Sequence, residues 1–176
     1  MMVVAGAGNE AGGAMSAPRF VRDAVAADHE AVLAMNNAAV PNVNALAAHE
    51  FEWLVTRAAY FRVCVDAEDV VGFVLCLPAG IDYWSENYKW FAARYGTFLY
   101  LDRVVVAERV RGQGVGAMLY ADLHAFAAGR WGCVTLEVNL LPPNPGSVRF
   151  HERLGYERVG MREYGGNAVA MYSRAV

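Results

Sequence analysis

Only one lysine, Lys89, occurs in the chain of 176 residues, and the remaining cationic side chains are scattered arginines. A nucleic-acid surface needs clustered positive charge, so that class is excluded. Eighteen acidic against 15 basic residues, a net charge of −3, reinforce the exclusion. Charge is sparse overall, at 19% of residues, while 56% are hydrophobic and 12% aromatic. That is too much apolar surface for a disordered chain. Long apolar runs are also missing, and none nears the ~20 residues of a membrane-spanning helix. Cysteine is limited to Cys64, Cys76 and Cys133, odd in number and far apart, with no CxxC pair and no Cys/His ligand spacing. A disulfide framework and a zinc site are therefore not expected, and no other metal is. The three thiols read as reduced core residues of a cytoplasmic protein.

What is present points to one domain over residues 18–176, since two domains would each lack an adequate core. The first 17 residues lack the basic and apolar regions of a signal peptide and read as a flexible Gly/Ala-rich tail, with Met15 as an alternative start. Strands are expected at residues 19–25, 60–66, 70–77, 98–106, 133–138, 156–163 and 168–173. The second and third are spaced as a hairpin, and the last two hinge at Gly165-Gly166. Helices are expected from Asp28, a plausible N-cap, to about 37, then at 45–58, 113–128 and 147–154, the last closed by Gly155. Residues 81–95 are irregular and aromatic, with room for one short helix. This order implies an α/β (α+β) fold, a mixed, mostly antiparallel sheet flanked by helices.

The stretch from Val104 to Ala117, VVVAERVRGQGVGA, is the most informative. A buried strand leads into Gly112, Gly114 and Gly116, on which a helix begins. Such a turn aims unpaired backbone N–H groups and a helix N-terminus at one point, and so suits a phosphate. Without the lysine of Gly-Lys-Ser/Thr it is not a Walker A loop. Gly112-x-Gly114-x-x-Ala117, with Glu137 about twenty residues on, also fits a dinucleotide fingerprint. Against that reading, five residues separate strand and glycines, and too little chain follows for further βαβ units.

The same residues resemble the GNAT superfamily of acetyl-CoA-dependent N-acetyltransferases. Arg111, Gly114 and Gly116 match its [Q/R]-x-x-G-x-[G/A] signature. Asn144, Ser147, Phe150, Leu154, Gly155 and Tyr156 match its downstream signature in NPGSVRFHERLGY. The resemblance implies a sheet splayed at the cofactor strand and acetyl-CoA as co-substrate. Its pyrophosphate would lie on the amides of Gly112, Gln113, Gly114, Val115, Gly116 and Ala117, with Arg111 beside it. Its pantetheine would follow Val104, Val105 and Val106, with Asn144, Ser147 and Phe150 completing the site. The expected reaction is acetyl transfer to the primary amine of a small molecule. Alternatives are a non-catalytic acyl-CoA-binding module and an N-terminal protein acetyltransferase. A homodimer is the default assembly.

Acetyl transfer needs an amine freed of its proton and a stabilised oxyanion. Glu137, in Leu136-Glu137-Val138, resembles the glutamate of ribosomal-protein N-terminal acetyltransferases, although Leu140-Leu141-Pro142-Pro143 lengthens the following loop by about two residues. It is either the base or a surface carboxylate. His151 stands where many members carry a proton-donating tyrosine, and is that acid, the base, or a helix histidine capped by a neighbour such as Glu152. N–H groups near Val105 and Val106 are candidates for polarising the thioester carbonyl. Tyr83, Trp84, Tyr88 and Tyr100 would wall an acceptor groove, with Asp82, Glu86 and Asp102 meeting a cation; core or a dimer face is the competing reading.

Overall fold

The computed structural model describes residues 18–41 and 43–176; the expected tail at 1–17, with Met15, lies outside the described residues. Seven strands form one sheet: β1 (Phe20–Asp23), β2 (Tyr60–Asp66), β3 (Asp69–Pro78), β4 (Leu99–Val106), β5 (Cys133–Leu141), β6 (Glu157–Tyr164) and β7 (Asn167–Ala175). Their order is β1-β2-β3-β4-β5-β7-β6, and only β4 and β5 pair in parallel. Helices α1 (His29–Ala38), α2 (Ala48–Arg57) and α3 (Glu86–Ala92) cover one face. Helices α4 (Val115–Ala127) and α5 (Pro145–Arg153) cover the other. Each face therefore has its own apolar core. Cys64, Cys76 and Cys133 are buried free thiols.

Local chemistry explains most boundaries. Gly165 and Gly166, both at positive φ, make the two-residue turn between β6 and β7, the type I′ pattern that suits strand twist. Ser85 caps α3, accepting from the Tyr88 N–H, and Gly155 at φ 81° follows α5.

Two expected starts shift. Asp28 does not cap α1: its carboxylate reaches back to the Val25 N–H and takes a two-pronged hydrogen bond from Arg22. Helix α2 begins at Ala48 rather than near residue 45. The preceding loop is held extended by Asn37, which bonds both the N–H and the carbonyl of Leu46, and by Asn36, which bonds the Asn44 carbonyl.

Strand β5 runs to Leu141, three residues beyond the expected end, with a register shift against β7 between Asn139 and Leu141. The extra residues that lengthened the sequence here are absorbed partly as a bulge in the strand.

Candidate functional site

The sheet opens between β4 and β5. Their pairing consists of Leu99 opposite Val134 and Tyr100 opposite Thr135. Beyond Tyr100, β4 carries a bulge: Leu101 pairs with Cys76 and Arg103 with Leu75, leaving Asp102 as the extra residue. A bulge bends its strand, and here it lies where β4 leaves β5. It also turns Asp102 and Arg103, neighbours in sequence, toward the same side, where the Arg103 Nε donates to the Asp102 Oδ2 at 2.7 Å.

The backbone of β4 beside this gap alternates. The Ala107 N–H bonds the Val71 carbonyl on the β3 side. By alternation Val105 also faces β3, and Val104 and Val106 face the gap. The amide expected from Val105 is thus committed to the sheet.

The glycine loop closes one end of the gap. Gly112 (φ 77°) and Gly114 (φ 86°) are left-handed, and Gly114 is the N-cap of α4 rather than part of it. The first N–H groups of α4 thereby end in a solvent-exposed turn, the geometry that accepts a phosphate. Arg111 is anchored through Nε to the Val106 carbonyl at 3.2 Å. The Gln113 side chain bridges Arg19 and the Arg109 carbonyl. Phe150 of α5 packs against Gly116, 3.4 Å from where a Cβ would stand. Asn144 caps α5 through the Ser147 N–H. Ser147 itself is fully buried, so it and Asn144 place the helix that carries Phe150.

On the other side of the gap lies a cleft of about 360 Å³, lined by Tyr83, Trp84, Tyr100, Asp102, Arg103 and Glu137 among others. Glu137 projects into it from β5. Its Oε2 accepts from the Tyr100 hydroxyl at 2.8 Å, and the Asn87 side chain is a second hydrogen-bond partner. Burial raises the Glu137 pKa above the ordinary carboxylate value, while the bonds from Tyr100 and Asn87 pull it back. Removing the Tyr100 hydroxyl removes a bond to the charged form. Tyr100→Phe is therefore expected to move the titration of Glu137 to higher pH, read by carboxyl-carbon NMR; an unchanged or lower midpoint would contradict the assignment.

The aromatic run divides between cleft and core. Tyr83, Trp84 and Tyr100 line the cleft, but Tyr88 does not: it is 2% exposed, and its hydroxyl ties the Pro78 carbonyl to the Ile81 N–H. Asp102 reaches the cleft with its oxygens already engaged, Oδ1 by the Tyr83 hydroxyl at 2.6 Å and Oδ2 by Arg103. The expected ammonium partner is thus a carboxylate already paired with Arg103. Arg103 continues inward to the Asn36 side chain and the Asn44 carbonyl. The cleft floor and the α1–α2 loop are thus one hydrogen-bonded unit.

His151 also corrects the expectation. It is fully buried, its Nδ1 is 2.8 Å from the Ser147 carbonyl and its Nε2 is 2.6 Å from the Tyr120 hydroxyl. That pattern makes Nδ1 the donor and Nε2 the acceptor of a neutral ring, and burial pushes its pKa down to about 3. A ring so placed has no proton to give near neutrality. It packs among Tyr120, Tyr156 and Tyr172 as a core residue.

Sequence reasoning missed Asn87 and Arg162. Arg162 reaches the cleft from β6 and donates to the Asn87 Oδ1. The one local signal is Gly160: a Cβ there would come within 2.5 Å of the Trp90 indole, so only glycine lets β6 settle on α3. Among the described residues no cluster of His, Cys, Asp and Glu could hold a metal ion, and no helix is long and apolar enough to cross a membrane.

A family model described as the acetyltransferase (GNAT) family matches residues 29–156. Solved structures share the fold. Arabidopsis thaliana NAA60 with a bisubstrate analogue is 19% identical, with 90% of this chain and 98% of that one covered and a TM-score of 0.72. The Escherichia coli ribosomal-protein-S18-alanine N-acetyltransferase is 13% identical over 90% and 94% of the two chains, with a TM-score of 0.72. A ribosomal-protein-alanine N-acetyltransferase from Brucella melitensis is 24% identical over 89% and 99%, with a TM-score of 0.66. A search of curated proteins gives no match.

Proposed function

Because the chain belongs to the acetyltransferase (GNAT) family, we propose that it transfers the acetyl group of acetyl-CoA to a primary amine of a small molecule. The observation that carries this reading is Glu137, a carboxylate held by Tyr100 in a cleft beside the β4–β5 gap. When bound, acetyl-CoA supplies an activated acetyl thioester. The residues present fit it: exposed left-handed glycines before α4 for the pyrophosphate, and the open edge of β4 for the extended arm.

In this reading the N–H groups of Val104 and Val106 hydrogen-bond along that edge and polarise the carbonyl. Glu137 accepts the proton of the acceptor ammonium, and burial, by raising its proton affinity, suits it to that task. No residue need protonate the departing sulfur, since a thiol with a pKa of about 8.5 is a tolerable leaving group. His151, neutral and enclosed, keeps α5 in place instead. Reduced buried cysteines and a co-substrate of this kind fit a cytoplasmic protein.

The small-molecule assignment rests on the size and walls of the cleft. Its volume falls within the usual range for small ligands, about 300–1,000 Å³, and its α1–α2 wall is pinned through Asn36, Asn37 and Arg103. A second reading, acetylation of a protein N-terminus, is favoured by likeness to the ribosomal-protein enzymes. Free-thiol release from acetyl-CoA, with mass detection of the product, separates the two across amines, amino acids, polyamines and peptides. N-acetylation of free small amines is expected; acetylation of peptides alone would transfer the assignment to a protein acceptor.

A further inference from the structure

Of the charged side chains that line the cleft, Glu137 and Arg162 are opposite in sign and do not pair with each other. Glu137 projects from β5 and Arg162 from β6, and the neutral side chain of Asn87 stands between them. Its Oδ1 accepts from the Arg162 guanidinium, and its amide also bonds the Glu137 carboxylate. Among the described residues Arg162 has no carboxylate within ion-pair distance, whereas Arg103, the other arginine of the cleft, is bound to Asp102 and Asn36. The exposed Glu86 carboxylate feels the Arg162 charge but is itself paired with Lys89, so Arg162, hydrogen-bonded to the neutral Asn87, keeps charge to offer a ligand.

The spacing is set by that one amide. A carboxylate and a guanidinium linked through it by two hydrogen bonds lie roughly 8 Å apart at most. An ammonium and a carboxylate on a single carbon, with a hydrogen bond of about 2.9 Å at each end, span a similar distance. Beside them Trp84 is half exposed and packs against Tyr83 and Trp53, at ring separations of 4.8 and 4.5 Å. This leaves an aromatic surface next to the charged pair.

Resting on the proposed function, we infer that the acceptor is a free α-amino acid with an apolar or aromatic side chain, its amine toward Glu137, its carboxylate on Arg162 and its side chain on Trp84. The carboxylate is what distinguishes this acceptor from a simple amine and from a protein N-terminus, where the same carbonyl is tied up as an amide. In the transfer step the amine nitrogen forms the bond to the acetyl carbon and the carbon–sulfur bond breaks. Glu137 takes one proton of the ammonium before attack; as the intermediate collapses the electron pair leaves with sulfur and the second nitrogen proton passes through water to the thiolate, so CoA and the N-acetyl amino acid are the products.

The test compares, on the full chain, acetylation of phenylalanine, leucine and tryptophan with that of their amides and decarboxylated amines, in the parent and in Arg162→Gln. Losing a charge-assisted hydrogen bond is expected to lower the acid-over-amide ratio of kcat/KM by about 10- to 100-fold in the variant. The change should appear in the KM of the amino acid. Equal turnover of acids, amides and amines by the parent overturns the inference and leaves small-amine acetylation standing. A variant that loses acid and amide activity in equal proportion makes Arg162 merely structural and overturns the inference too. Absence of turnover with every small amine overturns both.

Discussion

Replacing Glu137 with glutamine is expected to lower kcat by about 10²- to 10⁴-fold, the usual worth of a positioned general base. The substitution keeps the size of the side chain and an oxygen to accept from Tyr100, so what it removes is the capacity to take a proton. The pH dependence gives the sharper reading. Glu137 works only when ionised, and burial raises its pKa. Parent activity therefore falls as the pH drops through that raised value and is fully present above it. The variant lacks this titration and follows amine protonation alone. The deficit should be widest between the pKa of Glu137 and that of the amine, and should narrow at high pH, where the amine is already free. A variant with the parent's rate and pH profile would show that Glu137 is not the base.

Gly114→Val is expected to weaken CoA binding by about tenfold or more. Space is not the reason, since a Cβ at residue 114 would meet nothing within 4 Å. The reason is φ at 86°, in the left-handed region. A β-branched residue held there is strained by about 1–3 kcal/mol, and each 1.4 kcal/mol is about a factor of ten in affinity. The loop would relieve the strain by turning its N–H groups away from the ligand. Calorimetric titration with CoA would measure the change, and a graded series identifies the cause. Asparagine tolerates left-handed backbone far better than valine, so Gly114→Asn should recover much of the loss. If asparagine binds as poorly as valine, backbone conformation at this residue is not what the site requires.

The parts of this molecule legible in its sequence are those whose signals are local. Three alternating glycines between a strand and a helix are a contiguous pattern, and the loop adopts the expected shape, with only the first helical residue displaced from Gln113 to Val115. The hairpin between β2 and β3 and the turn at Gly165-Gly166 are equally readable. What escaped depends on register and depth. The motif spacing marks the position of His151 but not that Tyr120 and the Ser147 carbonyl enclose it. Strict alternation would put Asp102 and Arg103 on opposite faces; a bulge, invisible in the residues themselves, puts them together. Arg162 and Asn87 lie 75 positions apart, and their meeting depends on how closely β6 rests on Trp90 at Gly160.

The most direct test is a crystal structure with CoA and the N-acetylated acceptor bound together. The pyrophosphate should lie on the N–H groups of residues 112–117, the sulfur in the gap between β4 and β5 beside Val104 and Val106, and the acceptor nitrogen within hydrogen-bond distance of Glu137. A pyrophosphate bound instead in the groove of Arg94 and Arg174, or a sulfur remote from Glu137, would contradict the account.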